Sequence, residues 1–524
     1  LKSIEIFFMI TPIWLIFPFV LKKFKARAEE QSADKYLRGS RLITLDDLNK
    51  QIKKSGKDTY LQIGRVSIPT EAEVEHFLIA GRTGVGKTVL LSSIVDKIRE
   101  RQGKAVIYDA EGTYLSRFYN PDNDIIINPV DARGKGWTIF NDVTSIMDFD
   151  TIAESLIPIP TSSNQDPFWN RAAQDVFVSI LRSLYIQKRE KATNMDIYKA
   201  VFEDRKTLSR WFQSQFTRRG YRHLEETGKG DRVGSIFSVM SQYTKSFEYV
   251  SQNDGDFSIT NWLQDEKPGF IFIVNTEKSK ETLKPILSLF IDQLSQKILL
   301  LPESFDRRIY LLLDEFPSLQ KLPSITNLLT RGRKRGASVW IGIQDVAQLE
   351  KVYGREEAKT ILDNCSSCAI FACSDDYSAE HLSRRIGDTE VLRIDQNLSM
   401  GVEDERDGVT LSSKEIVKRL VMASEIINLP KLNLYLKISG YDITKTVLSF
   451  KNYLNPTEPF ILKDIFTLNN LIDTDEPLAN ALDEEKAEDK AEEKAGREER
   501  EAGKEEREAG KEEKAGKEDS SIKL

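Results

Sequence analysis

Residues 81–88 read Gly81-Arg82-Thr83-Gly84-Val85-Gly86-Lys87-Thr88, and no other stretch restricts the possible folds as much. A strand-like run, HFLIAG from His76 to Gly81, leads into it, and the apolar, helix-compatible Val89 to Val95 leads out. G-x-x-x-x-G-K-[ST] between a strand and a helix is a phosphate-cradling loop. Its glycines let backbone N–H groups of Gly81 through Gly86 wrap phosphate oxygens, and the helix N-terminus adds positive field. Lys87 is placed to reach the terminal phosphates, and the Thr88 hydroxyl to ligate Mg2+. A chance match in a chain of this length has odds on the order of 1–2% before the strand–helix context is counted.

A phosphate loop of this kind needs an acidic partner on a neighbouring strand. Arg308 to Phe316 reads RIYLLLDEF, five apolar residues and then Asp314-Glu315. The run has the pattern of a strand buried on both faces, with its carboxylates emerging at the C-terminal edge, where ligands bind in parallel sheets. Asp314 is placed to hold the Mg2+ shell, partly through water, and Glu315 to polarise an attacking water. Both acids together favour hydrolysis over nucleotide binding alone. Ala337 to Asp345 (ASVWIGIQD) is a second buried strand, and Gln344 at its end can sense a γ-phosphate or orient water. Between the two lies the basic turn Arg331-Gly332-Arg333-Lys334-Arg335-Gly336, which reads equally as a solvated loop, a nucleic-acid contact or an arginine finger acting on a neighbouring subunit.

Three more segments have strand character: Ala105 to Asp109, Gly269 to Asn275 and Cys368 to Ser374. The six together predict an α/β fold with a parallel sheet. Their spacing is uneven. From Gly81 to Ala105 is 24 residues, but from Asp109 to Gly269 is 160, so roughly a hundred residues are inserted in one crossover. Phe168, Trp169, Ala172, Ala173, Val176, Phe177, Ile180, Leu181, Leu184 and Tyr185 recur at helical spacing, which makes the insertion all-α. The basic and aromatic cluster Arg218 to His223 in it suits nucleic-acid contact or a plain solvated surface. Cys365 and Cys368 have no second pair and no nearby histidine, and read as reduced core residues.

The predicted organisation is an anchor with its basic flank over 1–27, a nucleotide-binding first part over 28–110 and a connecting segment with the all-α insertion over 111–268. A nucleotide-binding second part follows over 269–455, a linker over 456–478 and a charged tail over 479–524. Ile6 to Leu21 is sixteen residues without a charge, followed by Lys22, Lys23, Lys25 and Arg27. That is slightly short of the roughly 20 residues a spanning helix needs, yet the trailing basic cluster and the lack of a cleavage site fit a membrane anchor better than a signal peptide. The positive-inside bias puts the rest of the chain in the cytoplasm and the N-terminus outside, as a helix upstream of Leu1 would require. The tail has almost nothing apolar to bury and is expected to be disordered. It also carries the net charge of −7: of 82 acidic and 75 basic residues, 65 of each lie outside Asp483 to Asp519. The body is therefore electroneutral, and its overall charge points to no partner class.

These stretches resemble the type IV secretion coupling proteins of the TraD and TrwB class, from the anchor to about Asn455. The likeness rests on Tyr36-Leu37-Arg38-Gly39, the phosphate loop, and Asn128-Pro129 with Asp131 and Arg133 before Trp137. Further support comes from Leu313-Asp314-Glu315-Phe316, Gly332-Arg333-Lys334-Arg335-Gly336-Ala337, Ile343 to Leu349 and Glu425-Ile426-Ile427-Asn428-Leu429-Pro430. The resemblance implies a RecA/FtsK-like core with an all-α domain inserted between the two Walker motifs. It also implies an ATP-hydrolysing, Mg2+-dependent motor, hexameric in the manner of ring helicases, at the bacterial inner membrane. Such a motor would pass relaxase-bound single-stranded DNA, with relaxase and relaxosome proteins as partners, to the proteins of a secretion channel. By that likeness Arg333 is a finger acting in trans and Gln344 a γ-phosphate sensor. Members of the class usually have two N-terminal membrane helices, and one is present in this sequence. The alternative expectation is a coupling or assembly ATPase for protein secretion with no DNA substrate.

Overall fold

A computed structural model describes residues 34–160, 166–225, 232–399 and 408–467, together with Lys22. The expected anchor over Ile6 to Leu21 and the charged tail over 479–524 lie outside these residues. Among the described residues no helix is long and apolar enough to cross a membrane.

Among the described residues fifteen strands occur in chain order. The first four are β1 (Lys35–Gly39), β2 (Leu42–Ile43), β3 (Thr59–Ile63) and β4 (Val66–Pro69). Then come β5 (Phe77–Ala80), β6 (Lys104–Asp109), β7 (Ile125–Ile127), β8 (Gly269–Val274), β9 (Ile309–Leu313) and β10 (Ala337–Ile343). The last five are β11 (Ser367–Ile370), β12 (Asp388–Ser399), β13 (Gly408–Arg419), β14 (Asn433–Lys437) and β15 (Ile443–Val447). Ten of them form one sheet in the order β2-β15-β14-β11-β5-β10-β9-β6-β8-β7. From β11 to β7 every neighbouring pair is parallel. All six strands expected from sequence lie in this stretch, and β5, β8, β9, β10 and β11 are buried along their whole length. Helices on both faces of a parallel sheet account for that pattern.

The sheet departs from the all-parallel expectation at one side. There β14 pairs antiparallel with β11 and β15 antiparallel with β14. Only five residues separate β14 from β15, with Gly440 at φ 80° in the turn, so a hairpin is the connection open to them. Two small antiparallel sheets complete the strand inventory, β1-β12-β13 and the hairpin β3-β4.

Between β7 and β8 the described residues from 139 to 264 form helices and no strand. The longest, Pro167–Lys188, starts where the Asp166 carboxylate accepts the Phe168 N–H (2.9 Å) and Pro167 pre-sets the first turn. Of the ten residues its spacing indicated, Ala172, Ala173, Val176, Phe177, Ile180, Leu181 and Leu184 are buried, and Phe168, Trp169 and Tyr185 are half-buried. A buried carboxylate fastens this region to the core. Asp292, in the helix Lys280–Leu300, accepts from Ser324 N (2.7 Å), Ser324 Oγ (3.0 Å), Gln296 Nε2 (3.0 Å) and the Ser155 hydroxyl. Gln320 Nε2 reaches the Ser155 and Leu156 carbonyls at 2.6 and 3.1 Å. Burial holds the Asp292 carboxyl above its ordinary range, and these donors act against that.

The described residues fall into two compact units, 34–129 with 133–460, and 130–132 with 461–467. In the second, Ala132 N donates to Ile461 O (2.7 Å) and Lys463 N to Val130 O (3.0 Å). Cys365 and Cys368 are free and buried, as expected, and so is Cys373; burial pushes Cys365 and Cys373 up to about 12.

Gly342 in β10 is the tightest glycine of the core. A Cβ built on it would stand 2.0 Å from the carbonyl oxygen of Asp314, because the chain leaving β9 crosses directly over it. Gly342→Ala is expected to destabilise the protein by about 2 kcal/mol or more and to push Asp314 out of place. A thermal melt with and without ATP checks both: a lower midpoint, and a smaller ATP-dependent rise than the parent protein shows.

Candidate nucleotide site

Parallel strands deliver their C-terminal ends to one edge of the sheet, and there β5 ends in the phosphate loop, β9 in Asp314-Glu315 and β10 in Gln344. The loop is suspended from its neighbours by backbone bonds. Gly81 N donates to Ile343 O (3.2 Å), Arg82 N to Ala372 O (2.8 Å) and Leu432 N to Val85 O (2.8 Å). Gly81, Gly84 and Gly86 have φ of 154, 77 and 127°, which other residues rarely adopt. At Gly81 a Cβ would also meet Phe371 Cβ at 2.6 Å. The helix Lys87–Glu100 begins immediately after the loop.

The loop borders a cavity of about 390 Å³ whose wall includes Thr83, Gly84, Gly86, Lys87, Thr88, Asp314, Glu315 and Gln344. Of the residues predicted from sequence, these eight are brought together, and Gly81, Arg82 and Val85 serve as the frame of the loop. Lys87 Nζ donates to the carbonyls of Gly81 and, at 3.2 Å, of Arg82. Burial lowers its pKa, while Asp314 and Glu315 act in the opposite direction. Gln344 joins two parts of the site: its Oε1 accepts from Thr83 Oγ1 (3.3 Å) and its Nε2 donates to Glu315 Oε1 (3.0 Å). A glutamine so placed can pass a change at the loop to the acid that would polarise water.

Arg333 is not brought to this cavity. It sits in the turn Gly332–Arg335 before β10, at the opposite edge of the sheet, where Nη1 pairs with Glu75 Oε1 at 2.9 Å. Its side chain is 58% exposed. In the helical segment, Arg219 pairs with Asp150 and Asp175, and His223 Nε2 lies 3.0 Å from Asp175 Oδ2. Half of that basic cluster is thus engaged within its own region, and Arg218 and Arg222 stay exposed.

Two functional-looking residues escaped the sequence reading. Tyr114 is fully buried and its hydroxyl donates to Asp314 Oδ2 at 2.8 Å, with Thr88 beside the same hydroxyl. Asp109, at the end of β6, holds it there: its carboxylate accepts the N–H groups of Thr113 (2.9 Å), Tyr114 (2.7 Å) and Leu115 (2.9 Å), the first turn of the helix Thr113–Phe118. Burial raises Asp109 to about 6 and holds Asp314 above the usual carboxylate range, the latter opposed by Tyr114 and Lys87. The only sequence signal was an aspartate ending an apolar strand.

No cluster of three or more His, Cys, Asp or Glu able to hold a metal occurs among the described residues. A Mg2+ at Thr88 and Asp314 would therefore draw most of its oxygen shell from phosphate and water, the usual habit of that ion. An acidic side chain and a hydroxyl at the mouth of a phosphate loop fit it. Tyr114→Phe, which removes one hydrogen bond to a carboxylate and keeps the ring, is expected to weaken Mg2+-dependent nucleotide binding about tenfold with little change in melting temperature. Titration of nucleotide with and without Mg2+ checks this, since Mg2+-free binding should move little.

The family model described as the type IV secretion-system coupling protein DNA-binding domain matches residues 60–449. Coupling protein TraD of Escherichia coli strain K12 is 29% identical over 463 residues, covering 86% of this chain and 64% of TraD. A conjugal transfer protein TraG of Escherichia coli is 24% identical over 405 residues, covering 68% of this chain and 62% of TraG. The chain thus spans a little under two thirds of the length of these curated relatives. The solved bacterial conjugative coupling protein TrwBdeltaN70, in its unbound form, superposes with a TM-score of 0.73 at 29% identity, covering 82% of this chain and 96% of that one. TrwB in complex with ADP and Mg2+ gives 0.71 at 30% identity, covering 82% and 97%. The nucleotide-edge geometry and a family match across most of its length agree: the chain belongs to the type IV secretion coupling proteins, the family of TraD and TrwB.

Proposed function

We propose that this protein is a membrane-anchored, ATP-driven DNA translocase and substrate receptor of a conjugative type IV secretion system. The observation that carries the reading is the convergence of Lys87, Thr88, Asp314, Glu315 and Gln344 on one cavity in a chain of this family. Lys87 and the loop N–H groups bind the phosphates, Thr88 and Asp314 hold Mg2+, Glu315 polarises the attacking water, and Gln344 reports the γ-phosphate. When bound, Mg2+ neutralises charge on the phosphates. TrwB has been solved with ADPNP, a non-hydrolysable ATP analogue, and with ADP and Mg2+, which supports the same ligands here. The family's DNA-binding domain description supports DNA as cargo, with single-stranded, relaxase-bound DNA the form a conjugative system moves. Relaxase, relaxosome and channel proteins are the matching partners. The bacterial inner membrane is the matching location, with the bulk of the chain cytoplasmic.

The motor is proposed to be a hexamer with a RecA/FtsK-like core, the helical segment forming its own inserted domain. Arg333 then acts on the nucleotide of the adjacent subunit, which requires it to leave Glu75. An exposed guanidinium with a single surface ion pair can do so at little cost, since such pairs contribute about 0–1 kcal/mol.

The decisive measurement is ATPase rate against protein concentration, with and without single-stranded DNA. A DNA motor that completes its sites between subunits should speed up with both and lose the DNA effect as salt rises. A rate that rises with concentration and ignores DNA would move the assignment to protein secretion or assembly. For Arg333, inactive Arg333→Ala and Lys87→Ala proteins are expected to recover part of the wild-type rate when mixed. The measurement is turnover in mixtures whose co-assembly is shown independently. No recovery there would remove the trans role.

A further inference from the structure

The phosphate loop fixes where the phosphates of a nucleotide go and leaves its base without a seat. The terminal phosphate belongs beside Lys87, Glu315 and Gln344, so the nucleoside has to leave over the first turn of the helix Lys87–Glu100. Val89, at that turn, borders the nucleotide cavity and also a second groove of about 240 Å³ that Ser93, Asp96 and Lys97 continue along the same helix face. Facing them is the segment 448–453, which is fastened at both ends. Leu448 N donates to Leu432 O (2.8 Å), and Leu432 in turn donates to the phosphate loop at Val85 O (2.8 Å). At the other end Lys451 Nζ lies 2.5 Å from Asp96 Oδ2, with the Tyr453 hydroxyl 3.3 Å from the same oxygen. Between these ties stands Phe450, 69% exposed and on the wall of the nucleotide cavity. A large aromatic ring is thereby presented to the nucleotide cavity from a segment tied both to the phosphate loop and to the helix that follows it.

We propose that Phe450 is the stacking platform for the base of the bound nucleoside triphosphate. The inference rests on the nucleotide-site reading above and names a part of that site. A ring at this place holds a purine by its face, so the seat takes ATP and GTP alike. Every base has a π-face, which makes stacking tolerant of base identity.

The test compares ATP, GTP and inorganic tripolyphosphate, each with Mg2+, by calorimetry on the full chain and its variants. Phe450→Ala should weaken ATP and GTP roughly tenfold, the loss expected of a stacked base, and leave tripolyphosphate unchanged. Phe450→Trp should restore both nucleotides. Unchanged ATP affinity in Phe450→Ala overturns the proposal, and a shift to smaller assemblies alongside it would assign the ring to a contact between subunits. Equal losses for ATP and tripolyphosphate also overturn it, because the phosphate loop itself would then be disturbed. A parent protein that binds tripolyphosphate and ATP equally overturns the base seat and leaves the phosphate site standing. A parent that binds neither removes the nucleotide reading altogether.

Discussion

The chemistry at the nucleotide edge depends on how closely the chain leaving β9 can run across β10. Parallel strands bring Asp314 and Gln344 to the same side about 4.8 Å apart, but side chains standing off the sheet face would keep a crossing chain away from it. Gly342 removes the side chain at the crossing, and the Asp314 carbonyl descends into space that any Cβ would occupy. The Gln344 amide then comes within 3.0 Å of Glu315 and the Thr83 hydroxyl within 3.3 Å of Gln344. One missing methyl group thus decides whether the loop, Gln344 and Glu315 form a single hydrogen-bonded unit or separate groups at a sheet edge.

A second layer holds the first from beneath. A carboxylate as buried as Asp314 is disfavoured in its charged form, and the Tyr114 hydroxyl and the Lys87 ammonium offset part of that. Tyr114 can serve because a short helix starts in front of it, and the helix starts there because Asp109 accepts three otherwise unpaired N–H groups. Asp109 is itself raised to about 6 by burial, which the three backbone donors counter. The acidic residue that would meet Mg2+ is therefore positioned by a chain of buried polar contacts running from β6 through the helix to β9, each group satisfied by the next.

Much of this was legible in the chain. The phosphate loop, the two acids and Gln344 are encoded as strand ends, where short apolar runs stop at polar residues, and parallel pairing then forces them together. The long helix Pro167–Lys188 announced its buried face by spacing. Tyr114 was not legible, because its value comes from a contact 200 residues away in sequence. Leu432 and Phe450 were hidden for the same reason. The Leu429-Pro430 pair carried part of the family likeness, but nothing local says that Leu432, at φ 64°, would tie the phosphate loop to the segment carrying Phe450. Strand β7 is three residues long and β2 two, too short for any period to show. The basic cluster at Arg218 to His223 looked free because charge composition does not reveal Asp150 and Asp175, which other helices bring to it.

Arg333 shows how a geometric mismatch within one chain constrains the assembly. The seven residues of β10 put roughly 23 Å between the basic turn and Gln344, more than an arginine side chain can cross. On the proposed reading, the finger must come from another copy, so the N-terminal edge of one sheet has to meet the C-terminal edge of the next. Two different surfaces are then used at every contact, which is a heterologous interface, and such interfaces close only as rings or continue as filaments. The Glu75 pairing adds a condition to that geometry. Arg333 can serve its own chain as a surface ion pair or the neighbouring chain as a finger, and not both at once, so completing the neighbour's site and releasing Glu75 become the same event.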